Sequence, residues 1–97
     1  MPTKSDIENA IRTLLVRYNA EYALLVGSYA WGEETHDSDV DVVVFGGKNF
    51  KKSNIFAFAE DLREIIGKNV DAFEITEVAT GTPLYNKIIS ESIKISV

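Results

Sequence analysis

Apolar side chains recur along this chain at two spacings, which together predict alternating helices and strands. A recurrence every three or four residues indicates amphipathic helices, whereas short apolar runs, unbroken or alternating, indicate strands. The helices are expected at residues 6–18, 28–32, from Ser53 or Asn54 to a stop at Gly67, and near 84–90. The strands are expected at residues 22–26, 40–45, 70–75 and in the tail SIKIS at 92–96. This α-β-α-β-α-β-α-β order predicts an α+β fold, a small mixed β-sheet with helices packed on it.

Four residues near the N-terminus match a sequence pattern that is typical of the start of a helix. Ser5-Asp6-Ile7-Glu8 has the capping-box pattern, in which a hydroxyl caps the amide three residues later and a carboxylate reaches back to the capping residue. We therefore expect the first helix to begin directly after Ser5.

The length and composition set the class of protein. With 97 residues, the chain predicts a single domain that spans 1–97. Surface scaling allows a chain of this size to bury roughly 65% of the area that its unfolded form exposes, which suffices for one core. The absence of cysteine excludes a disulfide framework and thiolate metal ligands. No apolar run approaches the roughly 20 residues of a membrane span, and the N-terminus lacks a signal-peptide core, so we expect a soluble, cytoplasmic protein.

The net charge of −5 limits the classes of ligand. A protein that binds nucleic acid along its phosphates needs a basic face, and Lys48, Lys51 and Lys52 form the only local basic cluster. We therefore expect no extended nucleic-acid binding. A small anionic ligand held through a metal ion is compatible with this charge, because the metal reverses the local sign.

Three carboxylates are expected on one face of the sheet. Asp39 and Asp41 share a face of the second strand because successive side chains alternate, and Asp71 lies in the third strand. On its own, a DxD pair most often marks the polar outer face of a strand. If the second and third strands are neighbours, however, like charges about 6 Å apart repel by about 3 kcal/mol at an effective dielectric of about 20. A cation would relieve this repulsion; the oxygen ligands suit Mg²⁺ or Mn²⁺, and the lone His36 argues against zinc.

A glycine and a hydroxyl, Gly27 and Ser28, stand where the first strand turns into a helical segment. Backbone amides at such a turn can bind an anion, and a glycine lets a phosphate approach the backbone closely. Alone, a Gly-Ser turn is usually structural; beside carboxylates that hold metal, it predicts a site for nucleotide phosphates. The segment Gly46-Gly47-Lys48 is not a P-loop, since that motif needs GxxxxGK[ST].

The sequence GS at 27–28, ten further residues and DVD at 39–41 resembles the GSx₁₀DxD signature of the DNA polymerase beta-like nucleotidyltransferase superfamily. The short length makes the chain similar to minimal nucleotidyltransferases, the antitoxins of two-gene modules with HEPN-domain toxins. The resemblance implies that Asp39 and Asp41 bind two Mg²⁺ ions, with Mn²⁺ as an alternative. It also implies that Asp71 is a further metal ligand and the general base.

The same resemblance implies the reaction and the partner. Gly27 and Ser28 would hold the β- and γ-phosphates of ATP or another nucleoside triphosphate. The nucleoside monophosphate, AMP in the antitoxin subgroup, would pass to a tyrosine hydroxyl of the HEPN toxin with release of pyrophosphate. The chain is too short for an acceptor-binding lobe, so the acceptor surface is expected to belong to another protein or to a second copy of this chain.

Trp31 departs from the family pattern, because many relatives carry arginine at this position. Lys48 is a candidate for the missing cation, and Trp31 itself is either a half-packed aromatic or a contact for a base or a partner. The departure leaves open an antitoxin that is weak or inactive as an enzyme and neutralises its partner by binding alone. A free-standing transferase for a small hydroxylated molecule is a third alternative.

Overall fold

The protein's structure, a computed structural model, describes residues 2–32, 35, 38–78 and 80–97, so that His36 lies outside the described part. Its four helices and four strands alternate as predicted, with a short 3₁₀ turn added before the last helix. In chain order the elements are α1 (Lys4–Arg17), β1 (Tyr22–Val26), α2 (Ser28–Trp31), β2 (Val40–Phe45), α3 (Asn54–Ile66), β3 (Val70–Glu74), the 3₁₀ turn (Ile75–Glu77), α4 (Pro83–Ser90) and β4 (Ile93–Ser96).

The four strands form one mixed sheet in the order β3-β2-β1-β4. Strand β1 pairs antiparallel with both β2 and β4, whereas β2 and β3 are parallel and joined by the crossover helix α3. The predicted α+β class with a small mixed sheet is confirmed.

One face of the sheet carries the main core. Strand β2 turns Val40, Val42 and Val44 to this face, where α1 and α3 bury their apolar stripes. The central strand is therefore buried along every second position, which accounts for its run of β-branched residues.

The opposite face is covered only in part. Here α4 places Ile88 over Leu24 and Val43 and makes a second, smaller apolar cluster. Because side chains alternate along β2, Asp41 lies on the same face as Val43, next to this cluster. This face is therefore where the chemistry-bearing residues are placed.

The start of α1 differs from the prediction. Thr3, with an extended backbone, is the N-cap: its hydroxyl accepts from the amide of Asp6 at 3.1 Å, and the Asp6 carboxylate accepts from the amide of Thr3 at 2.9 Å. The predicted box at Ser5 and Glu8 is wrong because Ser5 already lies inside the helix.

Two further details differ from the prediction, the cap of α3 and the end of β3. Ser53 stands at the start of α3 but makes no side-chain cap bond, since its own backbone is already helical. Strand β3 ends at Glu74, one residue early, because the Glu74 carboxylate accepts from the amide of Thr76 at 2.8 Å and starts the 3₁₀ turn. No helix within the described residues is both long enough and apolar enough to cross a membrane.

Candidate functional site

The structure brings Asp41 and Asp71 together on adjacent strands. Their α-carbons are register partners in the parallel pairing of β2 with β3, and paired residues of neighbouring strands point to the same face. Asp39, two residues before Asp41 and just ahead of the strand, is exposed at the same end of the sheet. Asp41 and Asp71 therefore share one face of the sheet with Asp39 near the same end, and the predicted convergence of all three on a cation stays a prediction.

Burial and the nearby carboxylates shift the pKa of the Asp41 carboxyl upward. Partial burial raises the pKa of the Asp41 carboxyl, and the negative charges of Asp71 and then Asp39 raise it further. Burial and the two neighbouring charges each disfavour the ionised form of Asp41. A cation bound beside this carboxylate would therefore relieve an unfavourable interaction.

Gly27 lies against the same carboxylate. The β1–β2 register pairs Val26 with Asp41, so that the chain turns away from the sheet beside the acid. Gly27 adopts φ 74° and ψ −154°, a conformation essentially restricted to glycine. A Cβ atom at this position would come within 2.7 Å of Oδ2 of Asp41. Both the backbone and the contact therefore require glycine here.

The turn after Gly27 is a single short helix. The amide of Ala30 donates to the carbonyl of Gly27 at 3.0 Å, and Gly32 ends the helix in the left-handed conformation. Tyr29 is buried and anchors the turn in the main core. Ser28 and Trp31 instead line the opposite face of the sheet.

An open cleft of about 950 Å³ extends over this face. The residues that line it include Val26, Gly27, Ser28, Trp31, Asp41, Val43, Phe73, Thr82, Leu84, Lys87, Ile88 and Glu91. Asp39 and Asp71 are exposed beside Asp41, outside the cleft lining. At its mouth Trp31, Phe73 and Leu84 are 53%, 45% and 60% exposed. The cleft thus combines a polar end at Gly27 and Asp41 with apolar walls, the usual composition of a small-molecule site.

Lys48 is not part of this site, and its candidacy as a replacement cation is wrong. The antiparallel register pairs Tyr22 with Phe45 and Val26 with Asp41, so β2 runs away from the Gly27 turn. Asp41 and Phe45 stand four positions apart along the strand, about 13 Å, and Lys48 comes three residues later. Lys48 therefore lies at the opposite end of the sheet.

Sequence reasoning missed the contribution of α4 to the cleft. Leu84, Lys87, Ile88 and Glu91 recur at helical spacing and line one wall, and Thr82 caps the helix by accepting from the amide of Tyr85 at 3.2 Å. The spacing was visible in the sequence, but not which surface the helix would face.

The donor set fits a hard divalent cation. Carboxylate oxygens that repel one another, with burial already disfavouring the charge on Asp41, are the ligands that Mg²⁺ and Mn²⁺ prefer. Within the described part of the chain, however, no group of three or more acidic, histidine or cysteine side chains is closed into a ready metal cluster. The three aspartates thus share one end of one face without a chelating arrangement of their oxygens.

Comparison with known proteins gives a consistent result. Residues 9–96 match the family described as polymerase beta, nucleotidyltransferase. A protein of Methanocaldococcus jannaschii named as a protein adenylyltransferase, MJ1379, is 34% identical over 96% of this chain and 97% of its own length.

Solved structures share the fold. One described as a minimal nucleotidyltransferase has a TM-score of 0.79 at 23% identity and covers 95% of both chains. A toxin-antitoxin with AMP-PNP has a TM-score of 0.77 at 22% identity, over 91% of this chain and 71% of that one. A complex of tri-AMPylated Shewanella oneidensis HEPN toxin with MNT antitoxin has a TM-score of 0.72 at 19% identity, over 96% of this chain and 71% of that one.

Proposed function

This chain belongs to the polymerase beta nucleotidyltransferase family, and from that premise we propose that it transfers AMP from ATP to a tyrosine hydroxyl of a HEPN-domain toxin and thereby acts as an antitoxin. The enzyme class predicted from the sequence, nucleotidyltransferase, follows from the family. The metal, the donor and the acceptor are the proposal.

One observation carries the proposal: Asp41 is in register with Asp71 on one side and lies against the Gly27 turn on the other. Asp39, Asp41 and Asp71 would hold Mg²⁺, or Mn²⁺, through their carboxylate oxygens. When bound, the metal supplies positive charge to the phosphate oxygens at the reacting centre.

The phosphates of ATP would lie at the turn. The backbone at Gly27 has no side chain to obstruct it, and Ser28 lines the cleft with a hydroxyl that can donate to a phosphate oxygen. In this arrangement the β- and γ-phosphates would lie next to Asp41, and the α-phosphate would lie near the exposed Asp71.

The proposed transfer needs the tyrosine hydroxyl, ATP and a group that accepts the proton of the hydroxyl. The tyrosine oxygen attacks the α-phosphorus, the bond from that phosphorus to the bridging oxygen of the β-phosphate breaks, and pyrophosphate leaves. Asp71, exposed next to Asp41, accepts the proton of the hydroxyl. Positioning and charge neutralisation supply most of the catalysis in reactions of this type.

The partner is inferred from the shape of the cleft and from the relatives of the chain. The cleft is open and its mouth is apolar, so a separate protein surface can deliver the acceptor. The similar MJ1379 protein is named for adenylyl transfer to protein, and two similar folds come from toxin-antitoxin complexes, one with AMP-PNP and one with an AMPylated HEPN toxin. These relatives support ATP as the donor and a HEPN protein as the acceptor.

The test is label transfer from α-labelled ATP, with Mg²⁺, to a purified HEPN-domain toxin as the partner. The wild type is expected to label the partner, and mass spectrometry is expected to place one or more adenylyl groups on tyrosine. Asp41→Asn should abolish the label, whereas Glu64→Gln, which removes an exposed carboxylate on α3 across the sheet, should leave it unchanged. An unlabelled partner at high enzyme concentration, or full labelling by Asp41→Asn, would overturn the proposal.

A second candidate function is neutralisation of the partner by binding alone. The observation that favours it is the apolar cleft mouth formed by Trp31, Phe73 and Leu84, a surface suited to protein contact. Co-expression separates the two functions: if Asp41→Asn still suppresses the toxicity of the partner, then binding suffices, and if suppression is lost while the complex still forms, then the transfer is required.

A further inference from the structure

One face of helix α4 lines the cleft and carries two charged residues, Lys87 and Glu91. Leu84, Lys87, Ile88 and Glu91 stand three, four and seven residues apart and all line the cleft. Ile88 is buried against the sheet, so the rotation of the helix about its axis is fixed by packing. The direction in which Lys87 projects therefore follows from the fold.

The C-terminal end of α4 lies close to the Gly27 turn. Strand β4 follows the helix directly, and its first residue, Ile93, pairs with Leu25, two residues before Gly27. The last turn of α4, which holds Lys87, must therefore approach the sheet on the side where β1 ends. This is the same end at which Asp41 contacts Gly27.

The charge balance of the cleft makes Lys87 distinctive. Among the residues that the structure describes, Asp41 and Glu91 are the acidic residues that line the cleft, and Lys87 is the only basic one. Glu91 stands one helical turn after Lys87, but the described part of the chain contains no ion pair between them. Lys87 is thus a cation with no carboxylate partner in the described residues, although Asp41 and Glu91 line the same cleft.

We propose that Lys87 binds the terminal phosphates of the nucleoside triphosphate and stabilises the pyrophosphate as it leaves, an assignment that rests on the proposed function. Lysine serves as a point charge for phosphate oxygens, and charge that grows on a leaving group is stabilised best by a group already in position. Lys87 then complements Gly27 and Ser28, which offer hydrogen-bond donors but no net charge. The contact involves the β- and γ-phosphates, so it is absent with AMP.

A structural role for Lys87 predicts a different outcome. If Lys87 served only to offset the charge of Glu91, its loss would weaken every nucleotide alike or lower stability, and removing Glu91 as well would restore the wild-type behaviour. A phosphate contact instead depends on the number of phosphates and is not restored by removing Glu91.

The experiment compares the binding of ATP, ADP and AMP by titration calorimetry, with the fluorescence of Trp31 as a second readout. Trp31 is the only tryptophan of the chain and lines the same cleft. Lys87→Gln is expected to lower the affinity for ATP about tenfold and to leave the affinity for AMP unchanged, because a hydrogen bond to a charged group contributes about 1.5 kcal/mol or more. Lys87→Arg should retain most of the ATP affinity, and Lys48→Gln, at the far end of the sheet, should retain all of it.

Three results would overturn the inference. Lys87→Gln could bind ATP as the wild type does while transfer to the partner proceeds. This would exclude Lys87 as a phosphate ligand and leave the proposed function intact. Alternatively, Lys87→Gln could weaken ATP and AMP equally, with Glu91→Gln restoring both, which would assign Lys87 to offsetting Glu91. If the wild type itself bound no ATP, both the inference and the proposed function would be wrong.

Discussion

The carboxylate of Asp41 lies against the α-carbon of Gly27, so close that a Cβ atom there would come within 2.7 Å of Oδ2. The contact links the acid of β2 to the turn that follows β1, although 14 positions separate the two residues in sequence (41 − 27). A group bound at the acid and a group bound at the turn would therefore touch each other. This proximity is what a metal-nucleotide complex requires.

Replacing Gly27 by alanine is expected to damage both stability and activity. The positive φ costs about 1–3 kcal/mol for a residue with a side chain, and the new Cβ would displace the Asp41 carboxylate. Urea unfolding should show a loss of at least about 2 kcal/mol, and label transfer to the partner should disappear.

Gly67→Ala is the matched control for this variant. Gly67 has a similar φ of 68°, but a Cβ atom there would meet nothing within 4 Å. It should therefore lose about 1 kcal/mol from backbone strain and keep its activity. Equal loss of activity in the two variants would show that the contact with Asp41 is unimportant.

Asp41→Asn is expected to change how stability depends on pH in the absence of divalent cations. Burial and the charges of Asp71 and Asp39 raise the pKa of Asp41 in the folded protein, so the folded state holds this proton more tightly than the unfolded state does. The stabilisation from that proton is complete below the unfolded pKa and is lost as the pH rises through the folded pKa.

The wild type should therefore lose stability relative to Asp41→Asn as the pH rises from the acid range toward neutrality. Urea unfolding of both proteins in EDTA, at a series of pH values, gives the difference in the free energy of unfolding. A difference that stays constant across this range would mean that Asp41 is not crowded by its neighbours.

A positive charge at position 31 is expected to compensate in part for the loss of Lys87. Trp31 lines the cleft and is 53% exposed, so an arginine there has room to reach a phosphate. Adding Trp31→Arg to Lys87→Gln should tighten ATP binding about fivefold, equivalent to about 1 kcal/mol. Trp31→Gln, which removes the ring without adding charge, should give no recovery; equal recovery by the two substitutions would contradict the electrostatic explanation.

The sequence predicted the elements of this fold because its local patterns were strong. Alternation along β2 predicted that Asp39 and Asp41 share one face, and the apolar segment around Asp71 predicted a strand without showing that it neighbours β2. The GSx₁₀DxD spacing then identified the family. The parallel pairing of β2 with β3 confirms the geometric part of that prediction, whereas the roles of the individual residues stay predictions.

The features that the sequence analysis predicted wrongly or did not foresee depend on information that local patterns do not carry. The position of Lys48 depended on the orientation of β1 against β2, which no single segment reveals. The place of Lys87 in the cleft lining depended on which surface α4 covers, and this is decided by the packing of Ile88. At the N-terminus Thr3 and Ser5 both offered a hydroxyl three residues before an acid, and only the backbone conformation chose Thr3.

Binding of Mn²⁺, followed by electron paramagnetic resonance with a non-hydrolysable ATP analogue present, tests the central claim most directly. If Asp39, Asp41 and Asp71 hold the cation beside the nucleotide phosphates, the wild type should bind Mn²⁺ saturably. Asp41→Asn should then abolish the binding, and Asp71→Asn should weaken it, while Glu64→Gln binds as the wild type does. Undiminished Mn²⁺ binding by both the Asp41→Asn and the Asp71→Asn proteins would contradict the account.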